Sequence, residues 1–465
     1  MRSTLKFLAA TLLVSLGLKA QGPVDSVKIR RSCGTHIPPA AWDSWFNQKV
    51  EEHKQSQALG KAENTSWTIS LIVHVVHGGE AVGAFPNLSA LQIYSQIKVM
   101  NDDYAGQGYN SGSLAATAFS AVGAADCHIT FCVAQKDQNG NDLAEAGIDR
   151  VDYTMHTNWS NPSTLTSQTA FQNFIDNTVK PATIWDPTSY YNIWISDVNN
   201  GVGLLGYSTF PAGSGLSGLP SLGTSTDDGI WIWAKAFGIT GILAYPYNKG
   251  RTASHETGHY LGLRHIGGDG NNNSNGDCSA TDYCNDTPPQ LGGFDGGQYG
   301  QNFGAPVYPL FNTGTKSCTG APNGNMFMNF MDYVDDPSCY MFTPDQSARM
   351  AVAMNNGTYR KQLNASPAGC SIILGVEKMS LLDRAVTLSP NPSSGLVNLT
   401  TSLAGSQNLD VVIRNYLGQF ITSISYKSAD VSTQTIDMTG YANGVYFVTV
   451  TNGQQKTVKR LILNK

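Results

Sequence analysis

Hydrophobic and polar positions follow strand patterns and helix patterns in alternation over the first three quarters of the chain. The run TISLIVHVVHG, starting at Thr68, is typical of a buried strand, whereas LSALQIYSQIKVMNDDY carries apolar residues at helical spacing. The further strand patterns lie at 128–135, 190–198, 203–210 and 229–237. This alternation predicts an α/β or α+β domain.

Two later helices are predicted from their end signals. One should begin near Thr252 and run to about Leu261, where Gly262 favours the left-handed conformation of a helix end. The other should begin at Thr343, because TPDQ supplies an N-cap, a proline in the first turn and a glutamine three residues after the cap. The α-containing domain is therefore expected to close by about residue 370.

From about Val386 the pattern changes to short alternating runs separated by turn residues every ten or so positions. Such spacing predicts a small all-β sandwich. We place this domain at 385–465, after a linker at 371–384.

The N-terminal residues resemble a secretory signal. Two basic residues, Arg2 and Lys6, precede an apolar run that is too short to span a bilayer and that ends near a small residue, Ala20. We therefore predict a signal peptide at 1–20, the alternative being a buried N-terminal helix. The segment 21–65 is polar, with a charged helical pattern, and no later stretch reaches transmembrane length.

Composition and charge narrow the classes of partner. The chain has 465 residues, a formal net charge of -5 and 14% charged residues, which leaves no basic surface for nucleic acid. Export makes disulfides permissible, so its eight cysteines can be partly bridged.

The sequence HETGHYLGLRH places three of the nine histidines within eleven residues. On a helix, His255 and His259 leave the same face one turn apart and can share one metal ion. Glu256 lies beside that ion and can take a proton from a zinc-bound water.

The rest of this sequence indicates a catalytic rather than a structural metal. Gly262 lets the backbone turn so that His265 can return as a third ligand, which leaves the fourth tetrahedral position open. A structural zinc site, the alternative, usually closes all four positions and has no use for Glu256.

The pattern HExxHxxGxxH is typical of the metzincin metalloproteases. Together with SATDYCNDTPPQ, NFMDY and FTPDQSARM, it makes residues 67 to 360 resemble the pappalysin family of the cytophagalysin and ulilysin type. The last 80 or so residues, with PNPSSG, NGVYFVTV and KRLILNK, resemble the C-terminal sorting domain of the type IX secretion system. An accessory carbohydrate-binding or adhesion sandwich is the alternative for that domain.

The first resemblance implies a fold and further site residues. It implies an α+β metzincin domain at 66–370, with a twisted sheet and an active-site helix. Met331 would form the methionine turn beneath the metal, and Tyr333 would hydrogen-bond the oxyanion of the reaction, unless it is a core tyrosine.

The resemblance also implies calcium and disulfides in the loop after His265. Hard cations prefer oxygen ligands from flexible loops. The implied calcium ligands are Asp282, Asp286, Thr287 and Gln290. The implied bridges are Cys278 to Cys318 and Cys284 to Cys339.

Cys33, in RRSCGT, resembles the cysteine of a latency propeptide, which we place at 21–65. Its thiolate could occupy the open zinc position and keep the enzyme inactive until the segment is removed. The alternative is an ordinary disulfide from Cys33 to Cys370 or Cys127, which the even number of cysteines would suit.

These features predict a secreted or surface-attached zinc metalloendopeptidase that acts on proteins or peptides and is exported by the type IX machinery. Two other functions are weighed against it. One is a surface-displayed binding or adhesion protein with a vestigial zinc site, and the other is a zinc amidase.

Overall fold

The computed structural model describes residues 33–60, 65–213, 221–269, 278–290, 323–364, 386–452 and 456–465, with a few stretches of one to three residues between these ranges. The predicted signal peptide and the linker lie outside the described residues. Within the described part, no helix is long and apolar enough to cross a membrane.

The first domain is built on a six-stranded sheet with the order β2-β1-β4-β6-β5, in which β3 also pairs with β1. Its strands are β1 (Trp67–His77), β2 (Ile129–Val133), β3 (Ile148–Asp152), β4 (Tyr191–Ser196), β5 (Gly206–Ser208) and β6 (Ile230–Trp233). β1 runs parallel to β2, β3 and β4, and β6 runs parallel to β4. The short edge strand β5 runs antiparallel to β6.

The helices of this part are α1 (Ala40–Ala58), α2 (Ala90–Tyr104), α3 (Gln168–Phe174), α4 (Lys180–Thr183), α5 (Arg251–Tyr260), α6 (Pro344–Asn356) and α7 (Arg360–Leu363). A mixed sheet with these helices matches the predicted α+β fold. The apolar positions of β1 explain its central place, because Leu71, Val73 and Val75 are fully buried in the main core.

The end signals of the helices are confirmed. α5 ends at Tyr260, and Gly262 has a φ of +88°. The side chain of Thr343 accepts from the N–H of Gln346, whose own side chain accepts from the N–H of Thr343, which completes the predicted capping box.

Strand lengths are less well predicted than strand positions. The pattern at 203–210 yields only β5, three residues long, because only Gly206, Tyr207 and Ser208 pair in register with β6. β3 was not predicted, and its burial is incomplete, with Ile148 and Val151 buried and the residues between them half-buried.

In the described C-terminal part, all pairs between named strands are antiparallel. It contains β7 (Val386–Ser389), β8 (Leu396–Asn415), β9 (Phe420–Asp437), β10 (Gly444–Thr451) and β11 (Lys456–Leu463). Both halves of β8 contribute to one hydrophobic core, through Val397 and Leu399 and through Val411 and Ile413. This separate core agrees with the predicted all-β domain.

Candidate active site

Helix α5 carries the first two histidines, and all ten of its residues are buried. At its start, the Arg251 guanidinium forms an ion pair with Asp103 of α2, and Ser254 Oγ donates to the same carboxylate at 2.5 Å. Near its end, the hydroxyls of Thr257 and Tyr191 lie 2.8 Å apart. The helix is thus held against both α2 and the sheet.

The structure brings the three predicted histidines together. One ligand atom from each of His255, His259 and His265 lies within 4.8 Å of the others, together with Cys33 Sγ. His259 Nε2 and His265 Nε2 are 3.1 Å apart. The chain thus reverses after Gly262 as the motif predicts.

Each of these rings is held from behind by an oxygen atom. His255 Nδ1 lies 2.7 Å from the Phe330 carbonyl, and His259 Nδ1 lies 2.7 Å from the Leu263 carbonyl. His265 Nδ1 lies 2.5 Å from Asp269 Oδ1. Because these oxygens accept hydrogen bonds, they favour a proton on Nδ1 and leave Nε2 as the ligand atom.

Asp269 was not predicted from the sequence. It is 5% exposed and also accepts from Arg264 Nη1 at 2.9 Å. Burial raises the pKa of Asp269, but the His265 ring and Arg264 outweigh burial and bring it to about 2, so the carboxylate is ionised. Its position four residues after His265, beyond two glycines, is the only sequence signal for it.

The protonation state of His259 suits a metal ligand. Burial, followed by the neighbouring His265 ring, lowers the pKa of His259 to about 3. His259 is therefore neutral at physiological pH, and the neutral imidazole is the form that binds metal ions.

Glu256 is 1% exposed and lies against the edge strand. A Cβ at Gly206 of β5 would come within 2.7 Å of Glu256 Cγ. Since real Cβ atoms do not approach so closely, only glycine at position 206 lets Glu256 pack in this position.

The segment that contains Cys33 covers this glutamate. Gly34 N–H donates to the Gly206 carbonyl at 2.8 Å, so the segment pairs with the free edge of β5. Cys33 Sγ lies 3.3 Å from Glu256 Oε2. Burial, and next the Glu256 carboxylate, raise the pKa of the Cys33 thiol.

Thr35 makes a second contact with Glu256 that was not predicted from the sequence. Its hydroxyl donates to Glu256 Oε2 at 2.9 Å and accepts from the Ser208 N–H at 2.8 Å. The two partners are 221 and 173 residues away along the chain, so no local pattern could reveal them.

Met331 and Tyr333 both lie at the cluster. Met331 is fully buried, and a Cβ at Gly258, between the two helical histidines, would lie 2.5 Å from Met331 Sδ. The Tyr333 ring lies 4.7 Å from the His265 ring and 5.8 Å from the His255 ring, measured between ring centroids.

Of the predicted disulfides, Cys278–Cys318 is present. The pairing of Cys284 with Cys339 was wrong: both side chains are buried, and the two are not joined to each other. The sulfur of Cys284 faces the Asp282 carbonyl, whereas that of Cys339 faces the Asp336 carbonyl in a different turn.

The second disulfide joins Cys132 to Cys370. Cys370 is therefore not a partner for Cys33, and Cys127 is a buried free thiol. With two bridges among eight cysteines, the even count does not require Cys33 to be bridged.

The four candidate calcium ligands hydrogen-bond to different parts of the chain. Thr287 Oγ1 donates to Asp282 at 2.9 Å, but Asp286 accepts from the Thr343 hydroxyl at the start of α6. Gln290 donates to Asp332 instead. Calcium needs six to eight oxygen ligands, so the assignment of these four side chains stays a prediction.

Comparisons with known proteins agree with this geometry. The family Peptidase_M43, described as pregnancy-associated plasma protein-A, matches residues 173–355. The family described as secretion system C-terminal sorting domain matches residues 387–464.

Similar proteins include an extracellular metalloprotease of Pyricularia oryzae, which is 30% identical over 62% of this chain and 76% of its own length. Another, from Verticillium alfalfae, is 27% identical over 68% of this chain and 87% of its own length. Among solved structures, a Tannerella forsythia promirolysin mutant is 29% identical, with a TM-score of 0.53 over 72% of this chain and 97% of its own.

A structure of mirolysin in complex with a compound is 33% identical and covers 65% of this chain and 97% of its own, with a TM-score of 0.50. The matched regions contain the histidine cluster, Glu256 and the antiparallel C-terminal strands. The chain therefore belongs to the pappalysin family, M43, of secreted metalloproteases, and it ends in a type IX secretion sorting domain.

Proposed function

We propose that this metalloprotease is a zinc endopeptidase in which Glu256 transfers the proton. The observation that carries the proposal is the convergence of the three histidine ligand atoms beside a buried glutamate. Three imidazole nitrogens with one further position suit the tetrahedral geometry of catalytic zinc. When bound, zinc would polarise the scissile carbonyl and lower the pKa of the attacking water.

The residues of the chain would then act in a fixed order. The peptide substrate would pair with the outer edge of β5. In the uncut chain, the segment around Gly34 occupies that edge. Glu256 takes a proton from the attacking water and gives it to the leaving amine. Tyr333, beside the His265 ring, would donate a hydrogen bond to the oxyanion.

Casein digestion with and without a chelator, by the chain freed of its predicted propeptide at 21–65, tests this function. We expect chelation to lower hydrolysis by about two orders of magnitude or more, and stoichiometric zinc to restore it. Hydrolysis that is unchanged after the metal has been removed, as verified by elemental analysis, would contradict the proposal. A cleavage map on a peptide library would separate an endopeptidase from a zinc amidase.

We further propose that residues 21–65 keep the enzyme latent. Cys33 Sγ lies within the ligand cluster, where its thiolate can fill the open metal position. Burial and the Glu256 carboxylate favour the neutral thiol of Cys33. A bound divalent cation would supply the positive charge that favours its thiolate instead.

Replacing Cys33 with Ala is expected to produce premature activity during expression, because the open metal position is then left to water. The measurement is casein hydrolysis by the uncut chain. Cys127→Ala, which removes a buried free thiol outside the ligand cluster, is the matched control. A Cys33→Ala chain as inactive as the parent would remove the proposed role.

Other parts of the proposal concern export and calcium. The signal peptide at 1–20, the linker at 371–384 and the domain boundaries stay predictions. We propose that the sorting domain binds the type IX machinery, which its match to the secretion sorting-domain family supports. Calcium in the loop after His265 also stays a prediction, and no step of the reaction depends on it.

A further inference from the structure

Helix α1 packs on the catalytic domain through an apolar face of its own. Trp42, Phe46 and Val50, spaced four residues apart, are 0%, 0% and 5% exposed. They share one buried cluster with Phe210, Leu222, Val352 and Ala353 of the catalytic domain. The Trp42 ring stacks on Phe46 at 4.6 Å and meets Phe210 edge-on at 5.2 Å.

This contact is continuous with the proposed metal site. A Cβ at Gly262, within the histidine motif, would lie 2.6 Å from Phe46 Cζ. The Phe46 ring therefore packs directly against that glycine. Phe210 lies 5.5 Å from the His259 ring. A helix bound on this surface therefore lies next to the histidine motif and retains the Cys33 segment that precedes it.

Two buried arginines complement the polar groups of α1. Arg264 binds both carboxylate oxygens of Asp43, at 3.0 and 2.7 Å, and also the Pro38 carbonyl at 3.0 Å. Arg349 donates to Asn47 at 2.7 Å and lies over the Phe46 ring. Arg264 also pairs with Asp269, so loss of Asp43 would leave its buried guanidinium with one of two carboxylate partners, which is costly because the charge stays desolvated.

These contacts do not depend on the thiol or on chain connectivity. They are made by residues 38–50, beyond Cys33, to side chains that are not the proposed metal ligands. Cutting the chain near residue 61 would leave every one of them in place and would remove only the effective concentration that the linkage provides.

We propose that the surface formed by Phe210, Leu222, Gly262, Arg264, Arg349 and Val352 is a docking site for the excised helix α1. The segment 33–60 then stays bound after the maturation cut, and the enzyme stays blocked until α1 itself is cut or dissociates. This inference rests on the proposed latency. It adds apolar and ionic contacts of α1 that retain the segment independently of the metal. The partner that fits is an amphipathic helix with two aromatic residues one turn apart and an acidic residue between them.

The experiment uses the full chain with a site-specific protease sequence in place of residues 61–64. After cutting, the fragment is followed by size-exclusion chromatography at micromolar concentration, with and without a zinc chelator. We expect it to co-elute with the catalytic domain in both conditions, and casein hydrolysis to stay at least tenfold below that of a cut Asp43→Lys chain. Release of the fragment from the parent on cutting, or on chelation alone, would overturn the proposal.

Charge reversal on the same helix provides the matched comparison. Asp43→Lys places a cation against Arg264 and is expected to weaken retention of the fragment at least a hundredfold. Glu51→Lys changes an exposed residue of α1 and should behave as the parent. Equal retention of all three fragments would refute the docking surface.

A second variant covers the case in which Asp43→Lys does not fold. Phe46→Ala removes the ring seated on Gly262 and leaves the ion pair intact, and we expect the cut fragment to separate. The elution readout needs no catalysis. Failure of the zinc mechanism would instead appear as a chain that stays inactive after the fragment has separated.

Discussion

Glu256→Gln is expected to lower kcat/KM by about 10²- to 10⁴-fold while the zinc content is unchanged. The amide has the size of the carboxylate but cannot accept the proton of the attacking water. Glu256 is adjacent to a ligand without being one, so the metal should stay bound. The measurement is hydrolysis of a quenched fluorescent peptide by the cut chain after removal of residues 33–60, with elemental analysis for zinc.

Glu256→Asp provides the comparison for this variant. It keeps a carboxylate but withdraws it by one methylene from the reacting atoms, so we expect a loss smaller than that of Glu256→Gln. Turnover by Glu256→Gln equal to that of the parent would end the mechanism. Loss of zinc together with activity would assign Glu256 a structural role instead.

Asp269→Ala is expected to weaken zinc binding by about 10- to 100-fold. Asp269 Oδ1 lies 2.5 Å from His265 Nδ1 and fixes both the tautomer and the orientation of the ring. Without it, His265 loses the acceptor that keeps its Nε2 directed at the cluster. Competition with a fluorescent zinc chelator measures the change.

Asp269→Asn retains a side-chain acceptor and should lose less affinity than Asp269→Ala. Asp142→Ala, at a side chain that is 83% exposed, is the control for a lost acidic group and should bind zinc as the parent does. Unchanged affinity in Asp269→Ala would show that the ligands alone orient His265.

Local patterns in the sequence predicted the central elements of the site. The four-residue spacing of His255 and His259 needs only a helix to place both on one face, and Gly262 needs only its own backbone freedom to reverse the chain. The capping box at Thr343 is likewise contained within four residues. The strand at 203–210 was predicted too long, because its apolar pattern extends beyond the three positions that pair with β6.

Such local patterns could not predict contacts between segments that are far apart in the sequence. Nothing near Thr35 indicates that its hydroxyl reaches Glu256, or that Phe46 is seated on Gly262. The Cys132–Cys370 bridge spans 238 residues, and the implied Cys284–Cys339 bridge was wrong because the two sulfurs face different carbonyls.

The sequence by itself therefore determined the chemistry: three histidines and a glutamate at the spacings of a metal hydrolase, on a secreted chain with a sorting domain. Only the tertiary structure decided how that chemistry is held and covered. It placed Asp269 behind His265, paired the Cys33 segment with β5, and placed α1 across the docking surface. The physical reason is range: helix spacing and backbone freedom act within a few residues, whereas these contacts require the packing of the whole domain.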